Sequence, residues 1–229
     1  MPEENNKKAL AIILARANSK GLKHKNIRTL HGKPLLAWTI EVALAVPAFE
    51  RVIVSTDSER IAQIARDYGA EVPFLRPEHL GGDSVRPGEV EQQLHEWLRE
   101  EEGYVPDFSA SLYPTHPFRQ SRVINELVNK GLQGFSPVYT ARRIQTQRNS
   151  FVRMGEGGTV TVIEDSNRLN EQGMAWVRSY GTFYGHRRGR VDNPYCHVLD
   201  HPAELIDIDS LTDLVLAEQV LSRELYTIA

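Results

Sequence analysis

A cluster of positive charge follows the first apolar segment of the chain. Between residues 16 and 25, four cationic side chains stand together with a serine and a glycine, namely Arg16, Lys20, Lys23, Lys25, Ser19 and Gly21. Phosphate groups are bound by cations, by backbone N–H donors and by a backbone that approaches closely, which a glycine permits. The glycine spacing of a P-loop or of a dinucleotide fingerprint is absent. Charge alone therefore favours a phosphate-binding loop and a solvated surface loop about equally.

Two carboxylates near the C-terminus form a second group with chemical potential. Asp207 and Asp209 lie on either side of Ile208 in the short run 205–209, which has an extended-type pattern. Side chains two residues apart on an extended chain point to the same face, so the two charges repel unless a cation lies between them. Mg²⁺ binds a few carboxylates and leaves positions for water and phosphate oxygens. The alternative is that one aspartate caps a helix predicted to begin near Ser210.

The elements around these residues indicate an α/β fold. The apolar run 9–14, directly before the basic loop, predicts a central strand of a parallel sheet, buried on both faces. Further strands are predicted at 51–55, 71–74 and 109–113. Helices are predicted at 34–44, after a capping box of Thr56 and Glu59, at 89–99 and at 121–130. Ligands bind outside the carboxyl ends of such strands, which favours the phosphate-binding interpretation of the loop.

The pattern changes in the second half of the chain. From residue 138 to about residue 202 the sequence shows strand-type alternation and glycine-rich turns, without a convincing long helix. We therefore predict a core formed by residues 1–137 and 203–229, and a β-rich insertion or arm formed by residues 138–202.

Composition limits the classes of partner. The 229 residues carry a formal net charge of -3, which argues against general nucleic-acid binding. No apolar stretch approaches the roughly 20 residues that span a bilayer, so we expect no membrane span. The single cysteine, Cys196, excludes an internal disulfide, and a reducing cytoplasm is the simplest location. His197 and His201 beside it are a weak metal motif, because their surroundings look extended.

The segment 12–26 reads Ile-Ile-Leu-Ala-Arg-Ala-Asn-Ser-Lys-Gly-Leu-Lys-His-Lys-Asn and resembles the signature loop of the acylneuraminate cytidylyltransferases, or CMP-sialic acid synthetases. Further matches follow in family order at 32–35, 54–57, 75–78, 114–119 and 206–209. The resemblance implies a Rossmann-like three-layer fold of the nucleotide-diphospho-sugar transferases, with a mostly parallel sheet and a β-rich dimerisation arm. It also implies a homodimer.

The family activity implied by this resemblance joins CTP and a sialic-acid-like nonulosonic acid to give a CMP-sugar and pyrophosphate. It implies Mg²⁺ on Asp207 and Asp209. It implies catalytic roles for Lys20, Arg16 and Asp209. The nucleotide-binding residues implied are Ala15, Arg16, Ser19, Lys20, Lys25, Asn26, Arg76, Asp83 and Ser84. The candidates for the sugar side are Tyr113, Thr115, Arg168, Tyr180 and Tyr184.

Departures from the family pattern fall on the sugar side. Tyr113 replaces a glutamine, His116 a serine and Tyr180 an asparagine. A phenol does not reproduce the donor and acceptor of an amide, so we expect that the nucleotide half is retained and the acid accepted is altered. Two alternatives remain open. One is an enzyme of the same fold with a different acidic sugar or a different NTP, and the other is a non-catalytic nucleotide-binding homologue.

Overall fold

The first part of the chain alternates strands with helices, as its sequence predicts. The structure is a computed structural model that describes residues 7–19, 21–82, 84–144, 151–154, 160–164, 177–189 and 192–228. Its first elements are β1 (Ala9–Leu14), β2 (Thr29–Leu30), β3 (Lys33–Pro34), α1 (Leu35–Leu44), β4 (Arg51–Ser55), α2 (Glu59–Asp67), α3 (Pro87–Glu102), β5 (Phe108–Leu112) and α4 (Ser121–Leu132).

The following part is built mainly from strands. Its elements are β6 (Val138–Arg143), β7 (Phe151–Met154), β8 (Val160–Glu164), β9 (Val177–His186), β10 (Tyr195–Leu199) and the final helix α5 (Leu211–Ser222). Short 3₁₀ turns lie at Lys25–Ile27, Glu78–Leu80 and Pro202–Leu205. Among the described residues, no helix combines the length and the apolar character needed to cross a bilayer.

Six of these strands form one sheet in the order β10-β6-β9-β5-β1-β4. Strand β1 is parallel to both β4 and β5, whereas β9 is antiparallel to β5 and to β6, and β10 is parallel to β6. The sheet is thus mostly parallel. Because β1 lies in its interior, the loop that follows β1 leaves the sheet next to the ends of β4 and β5.

Helices cover both faces of β1, which explains why its sequence is continuously apolar. Alternate residues Ala9, Ala11 and Ile13 join a core cluster with residues of α1 and α4. The intervening Leu10 and Ile12 pack with Leu94 and Leu98 of α3. The expected three-layer α/β architecture is confirmed.

A third apolar cluster joins the N-terminal loop region to the C-terminal helix. Its buried members are Leu22, Leu30, Leu35, Phe118, Ala203, Ile208, Leu214, Ala217, Val220 and Tyr226. Because Leu22 lies within the basic loop and Ile208 lies between the two aspartates, this cluster brings the two chemical groups of the sequence together.

Several strands of the segment predicted as an arm, 138–202, lie in the main sheet. Strands β6, β9 and β10 belong to the main sheet, with β9 inserted between β5 and β6. Among the described residues of 138–202, only the β7–β8 hairpin forms a sheet of its own, and the division into core and arm stays a prediction. Alternation identifies a strand, but it does not show which distant strand is its neighbour.

Two local predictions also differ from the structure. Helix α2 is capped by Ser58, whose hydroxyl accepts a hydrogen bond from the Ile61 N–H, and not by Thr56. The hydroxyl of Thr56 instead accepts a hydrogen bond from the Ser58 N–H. Of the strand predicted at 71–74, only Glu71 makes a bridge, to Ile53. Pro73 has no N–H to donate, which limits pairing beyond this point.

Candidate active site

The basic loop after β1 is held in place by hydrogen bonds that its backbone groups make with other residues. The Ala15 N–H donates to the Ser55 carbonyl at 3.0 Å and thereby extends the β1–β4 pairing. The Ala17 N–H donates to Asp57 Oδ1 at 2.7 Å, and Asn26 Nδ2 donates to the Arg16 carbonyl at 2.9 Å. The backbone N–H of Ala15, a predicted nucleotide-binding residue, therefore has its hydrogen-bond partner within the protein. Asp57, which the sequence-based site did not include, holds the loop in place.

Two adjoining cavities open beside this loop. The first, about 350 Å³, is lined by Leu14, Arg16, Ser19, Gly21, Lys25, Asn26, Tyr113, Pro114, Thr115 and Asp209. The second, about 260 Å³, is lined by Leu14, Arg16, Arg76, Leu80, Gly82, Val85, Pro87, Val90 and Tyr113. Because Arg16 and Tyr113 line both, the cavities form one groove across the carboxyl ends of β1 and β5. A groove of this volume, lined by both polar and apolar residues, is typical of small-molecule sites.

Most of the predicted nucleotide-binding residues within the described ranges meet in this groove. Arg16, Ser19, Lys25 and Asn26 line the first cavity, and Arg76 lines the second. Ser84 is exposed between Gly82 and Val85, which line the second cavity. The predictions for Lys20, Asp83 and Arg168 lie outside the described residues.

Arg76 links the second cavity to the end of β4. Its guanidinium donates to the Ser55 carbonyl at 2.6 Å and to Ser55 Oγ at 3.2 Å. Burial lowers the pKa of Arg76, although the carboxylate of Asp57 opposes that shift. Arg76 thus supports the strand end as well as the cavity.

The basic loop contacts the aspartate run directly. A Cβ added to Gly21 would overlap the backbone oxygen of Asp209, so only glycine fits at this close approach. Nearby, Lys25 Nζ lies 2.5 Å from Asp209 Oδ1. Loop cations and the Asp209 carboxylate therefore face one cavity, although Lys25 and Asp209 are 184 positions apart in the chain.

Asp207 lies further from solvent than Asp209. Its Oδ1 atom is buried without a hydrogen-bond partner among the described residues and lies 3.7 Å from His116 Nδ1. Burial raises the pKa of Asp207 against the stabilising effect of the Thr115 hydroxyl, and the charge of Asp209 raises it further. A carboxylate with these surroundings would be stabilised in its ionised form by a bound cation.

His116, another residue absent from the sequence-based site, lies against Asp207 and Thr115. Its Nδ1 is 3.0 Å from Thr115 Oγ1, and its ring meets that of Tyr180 edge-on at 5.1 Å. Burial, with the positive charges of Arg119 and Lys25, lowers the pKa of His116 to about 3. The imidazole is therefore neutral near pH 7. The signal in the sequence was the histidine at a position where the family pattern has serine.

The described residues predicted for the sugar side fall into three places. Tyr113 and Thr115 line the first cavity, where burial and then the charges of Glu91 and Tyr184 raise the pKa of Tyr113 to about 12. The Tyr180 phenol donates to the Leu205 carbonyl at 2.6 Å. Tyr184 lines another cavity, of about 550 Å³, between α3 and the end of β9.

Comparison with known proteins identifies the family of this site. The family model described as Cytidylyltransferase matches residues 10–167, which is more than half of the chain. The chain belongs to the cytidylyltransferase family. The predicted family and the nucleotidyltransferase class are thereby confirmed.

Named cytidylyltransferases match across most of the chain. A CMP-N,N'-diacetyllegionaminic acid synthase of Legionella pneumophila is 42% identical over 93% of this chain and 95% of its own length. An N-acylneuraminate cytidylyltransferase of Escherichia coli is 34% identical over 95% of this chain but 53% of its own length, so the chain spans about half of that relative. A pseudaminic acid cytidylyltransferase of Campylobacter jejuni is 28% identical over 92% of this chain and 95% of its own length.

Solved structures of cytidylyltransferase type share the fold. A CMP:2-keto-3-deoxy-manno-octonic acid synthetase complexed with CTP matches with a TM-score of 0.68 at 16% identity, over 95% of this chain and 100% of that chain. A 4-diphosphocytidyl-2C-methyl-D-erythritol synthase from Anaerococcus prevotii matches with a TM-score of 0.66 at 13% identity, over 96% and 100%.

A buried arginine connects the elements beside the groove. Arg119 is 1% exposed. Its guanidinium donates to the Tyr113 carbonyl at 2.6 Å, the Thr182 carbonyl at 2.8 Å and Thr39 Oγ1 at 3.0 Å. These bonds connect α1, the end of β5 and β9 through one planar group.

We expect Arg119→Lys to destabilise the fold by about 2–4 kcal/mol, because an ammonium cannot satisfy three partners arranged around a guanidinium. Chemical denaturation measures the free energy of unfolding. Arg122→Lys is the matched control, since Arg122 is exposed and pairs only with Glu126 in the described structure; its change should stay within about 0.5 kcal/mol. Equal losses in both variants would contradict the role of Arg119.

Proposed function

We propose that this protein transfers CMP from CTP to the anomeric hydroxyl of an acidic nonulosonic sugar. The observation that carries the proposal is that the cations of the loop after β1 and the carboxylate of Asp209 face one cavity. The names of the relatives, which include synthases for legionaminic, neuraminic and pseudaminic acids, support the substrate class.

The nucleotide would occupy the groove formed by the two cavities. Arg16 and Lys25, with Lys20 as predicted from the sequence, supply positive charge for the triphosphate in the first cavity. The second cavity has apolar walls from Leu80, Val85 and Val90, which suit a base. Arg16, shared by both cavities, would lie between base and phosphates.

The donor set fits Mg²⁺, which we propose as the cofactor. Among the described residues there is no cluster of three or more side chains that would hold a metal alone. Asp207 and Asp209 would hold it instead, with water and phosphate oxygens as the other ligands. The unpartnered, buried Oδ1 of Asp207 supports this assignment. When bound, the ion would supply neutralisation of the charge on the phosphates.

Catalysis would come mainly from positioning and electrostatic stabilisation. The hydroxyl oxygen of the sugar forms a bond to the α-phosphorus of CTP, the bond from that phosphorus to the bridging oxygen breaks, and pyrophosphate leaves. Arg16 and Lys20 would stabilise the charge that develops on the phosphates. Asp209 is the proposed acceptor of the hydroxyl proton, since its carboxylate lines the cavity.

The sugar would lie beside Tyr113 and Thr115, with Tyr184 at the neighbouring cavity. Because a phenol stands at Tyr113 and an imidazole at His116, we propose an acid other than N-acetylneuraminic acid. Homodimerisation is proposed through the β-rich region, in which the β7–β8 hairpin lies outside the main sheet. A cytoplasmic location also stays a prediction.

The deciding experiment supplies each NTP, Mg²⁺ and a panel of acidic sugars, and measures pyrophosphate. We expect release with CTP and a nonulosonic acid other than N-acetylneuraminic acid. Release only with another NTP, or only with acids of a different class, would favour an enzyme of the same fold with other substrates. Nucleotide binding without release on any sugar would favour a non-catalytic protein. Turnover of N-acetylneuraminic acid as fast as that of the best acid would contradict altered specificity.

The close approach of the loop to Asp209 gives a second prediction. Gly21→Ala should lower kcat/KM about 100-fold, because the added Cβ displaces the loop from the aspartate run. Steady-state kinetics with the acid identified above measures the effect. Lys23→Ala is the control: it removes an exposed charge from the same loop without adding a contact. If Gly21→Ala lost no more activity than Lys23→Ala, the close approach of Gly21 to Asp209 would not be required for activity.

A further inference from the structure

Tyr180 connects the main sheet to the aspartate run. It lies on β9, and its phenol donates a hydrogen bond to the Leu205 carbonyl at 2.6 Å. Leu205 is the last residue of the 3₁₀ turn Pro202–Leu205 and precedes Asp207 by two positions. The contact therefore joins a strand of the core to the point at which the aspartate run begins.

The ring of Tyr180 is held from several directions. The His116 ring meets it edge-on at 5.1 Å, and the Arg142 guanidinium lies over it at 5.5 Å from the ring centre. The backbone oxygen of Tyr180 accepts a hydrogen bond from Thr140 Oγ1 at 2.7 Å. With both ring and backbone held, the phenol has a defined position.

Few hydrogen bonds of regular secondary structure hold the aspartate run in place. Residues 206–209 belong to neither a helix nor a strand. The Ile208 N–H donates to the Thr115 carbonyl at 2.8 Å, and the Ile208 side chain is fully buried. Downstream, the carboxylate of Asp213 accepts from the Asp209 and Ser210 N–H groups. Tyr180 supplies the corresponding support at the upstream end.

We propose that Tyr180 is a positioning residue, which sets the places of Asp207 and Asp209 through the Leu205 carbonyl, and not a contact to the sugar. The inference rests on the proposed function in so far as those aspartates bind Mg²⁺. Groups that orient metal ligands from behind typically change metal affinity when removed. The hydroxyl hydrogen of Tyr180 is committed to Leu205, so it does not replace an amide donor toward a substrate.

The test removes one hydroxyl and measures the run and its metal affinity separately. In Tyr180→Phe, amide hydrogen exchange at 206–209 should accelerate about three- to tenfold, as expected for the loss of one hydrogen bond. Mn²⁺ titration of the CTP complex, followed by electron paramagnetic resonance, should show about tenfold weaker binding. The KM for the sugar acid should stay within about twofold. Tyr195→Phe, on β10 beside Phe135, is the control and should change none of these.

Three results would overturn the inference. One is a raised KM for the acid with unchanged Mn²⁺ affinity, which would make Tyr180 a sugar contact. Another is unchanged exchange at 206–209, and a third is absence of Mn²⁺ binding by the unmodified protein.

Failure of the unmodified protein to release pyrophosphate would instead refute the proposed function. Because exchange is measured without turnover, the two failures are distinguishable. If Tyr180→Phe did not fold, Tyr180→Leu, which also lacks a side-chain donor, would replace it in the same exchange and Mn²⁺ measurements, with the same results expected and the same results overturning the inference.

Discussion

The contact between the loop after β1 and the run that carries Asp209 is the constraint on which the site depends. Gly21 meets the backbone of Asp209, and Lys25 pairs with its carboxylate. Burial of Ile208 in the cluster that contains Leu22 makes this contact part of the folded core. Helix α5 and the N-terminal loop therefore cannot be placed independently. Burial of apolar side chains thus brings opposite charges that are distant in sequence to the same cavity.

The electrostatics of the groove follow from this arrangement. Arg16 and Lys25 of the loop line the cavity together with Asp209 and with Tyr113, which follows β5. Behind them lie polar groups that the protein has already satisfied or kept neutral. The Arg119 guanidinium donates to three acceptors, and burial keeps His116 uncharged. Charge is thus concentrated on groups that can reach a ligand, a form of preorganisation that reduces the cost of reorganising the site.

Much of the core could be predicted because its signals are local. The apolar run of β1 reports burial on both faces, and the basic loop and the aspartate pair can be read from residue type and spacing. Pairing between distant segments left no such signal. That β9 lies between β5 and β6 depends on contacts across the chain, which the alternation at 138–202 does not report. The same reason explains why the contacts of Asp57 and His116 and the link from Tyr180 to Leu205 emerged only from the structure. Their roles are defined by what they touch.

A double-mutant cycle on Lys25 and Asp209 tests the central claim most directly. The affinity for CTP is measured in the presence of Mg²⁺ for the unmodified protein, Lys25→Met, Asp209→Asn and the double variant. If the two groups act as one charged unit in the nucleotide cavity, the losses are non-additive, with a coupling energy of about 1 kcal/mol or more. Losses that add to within about 0.3 kcal/mol would contradict the account, because side chains sharing one site and one contact do not act independently.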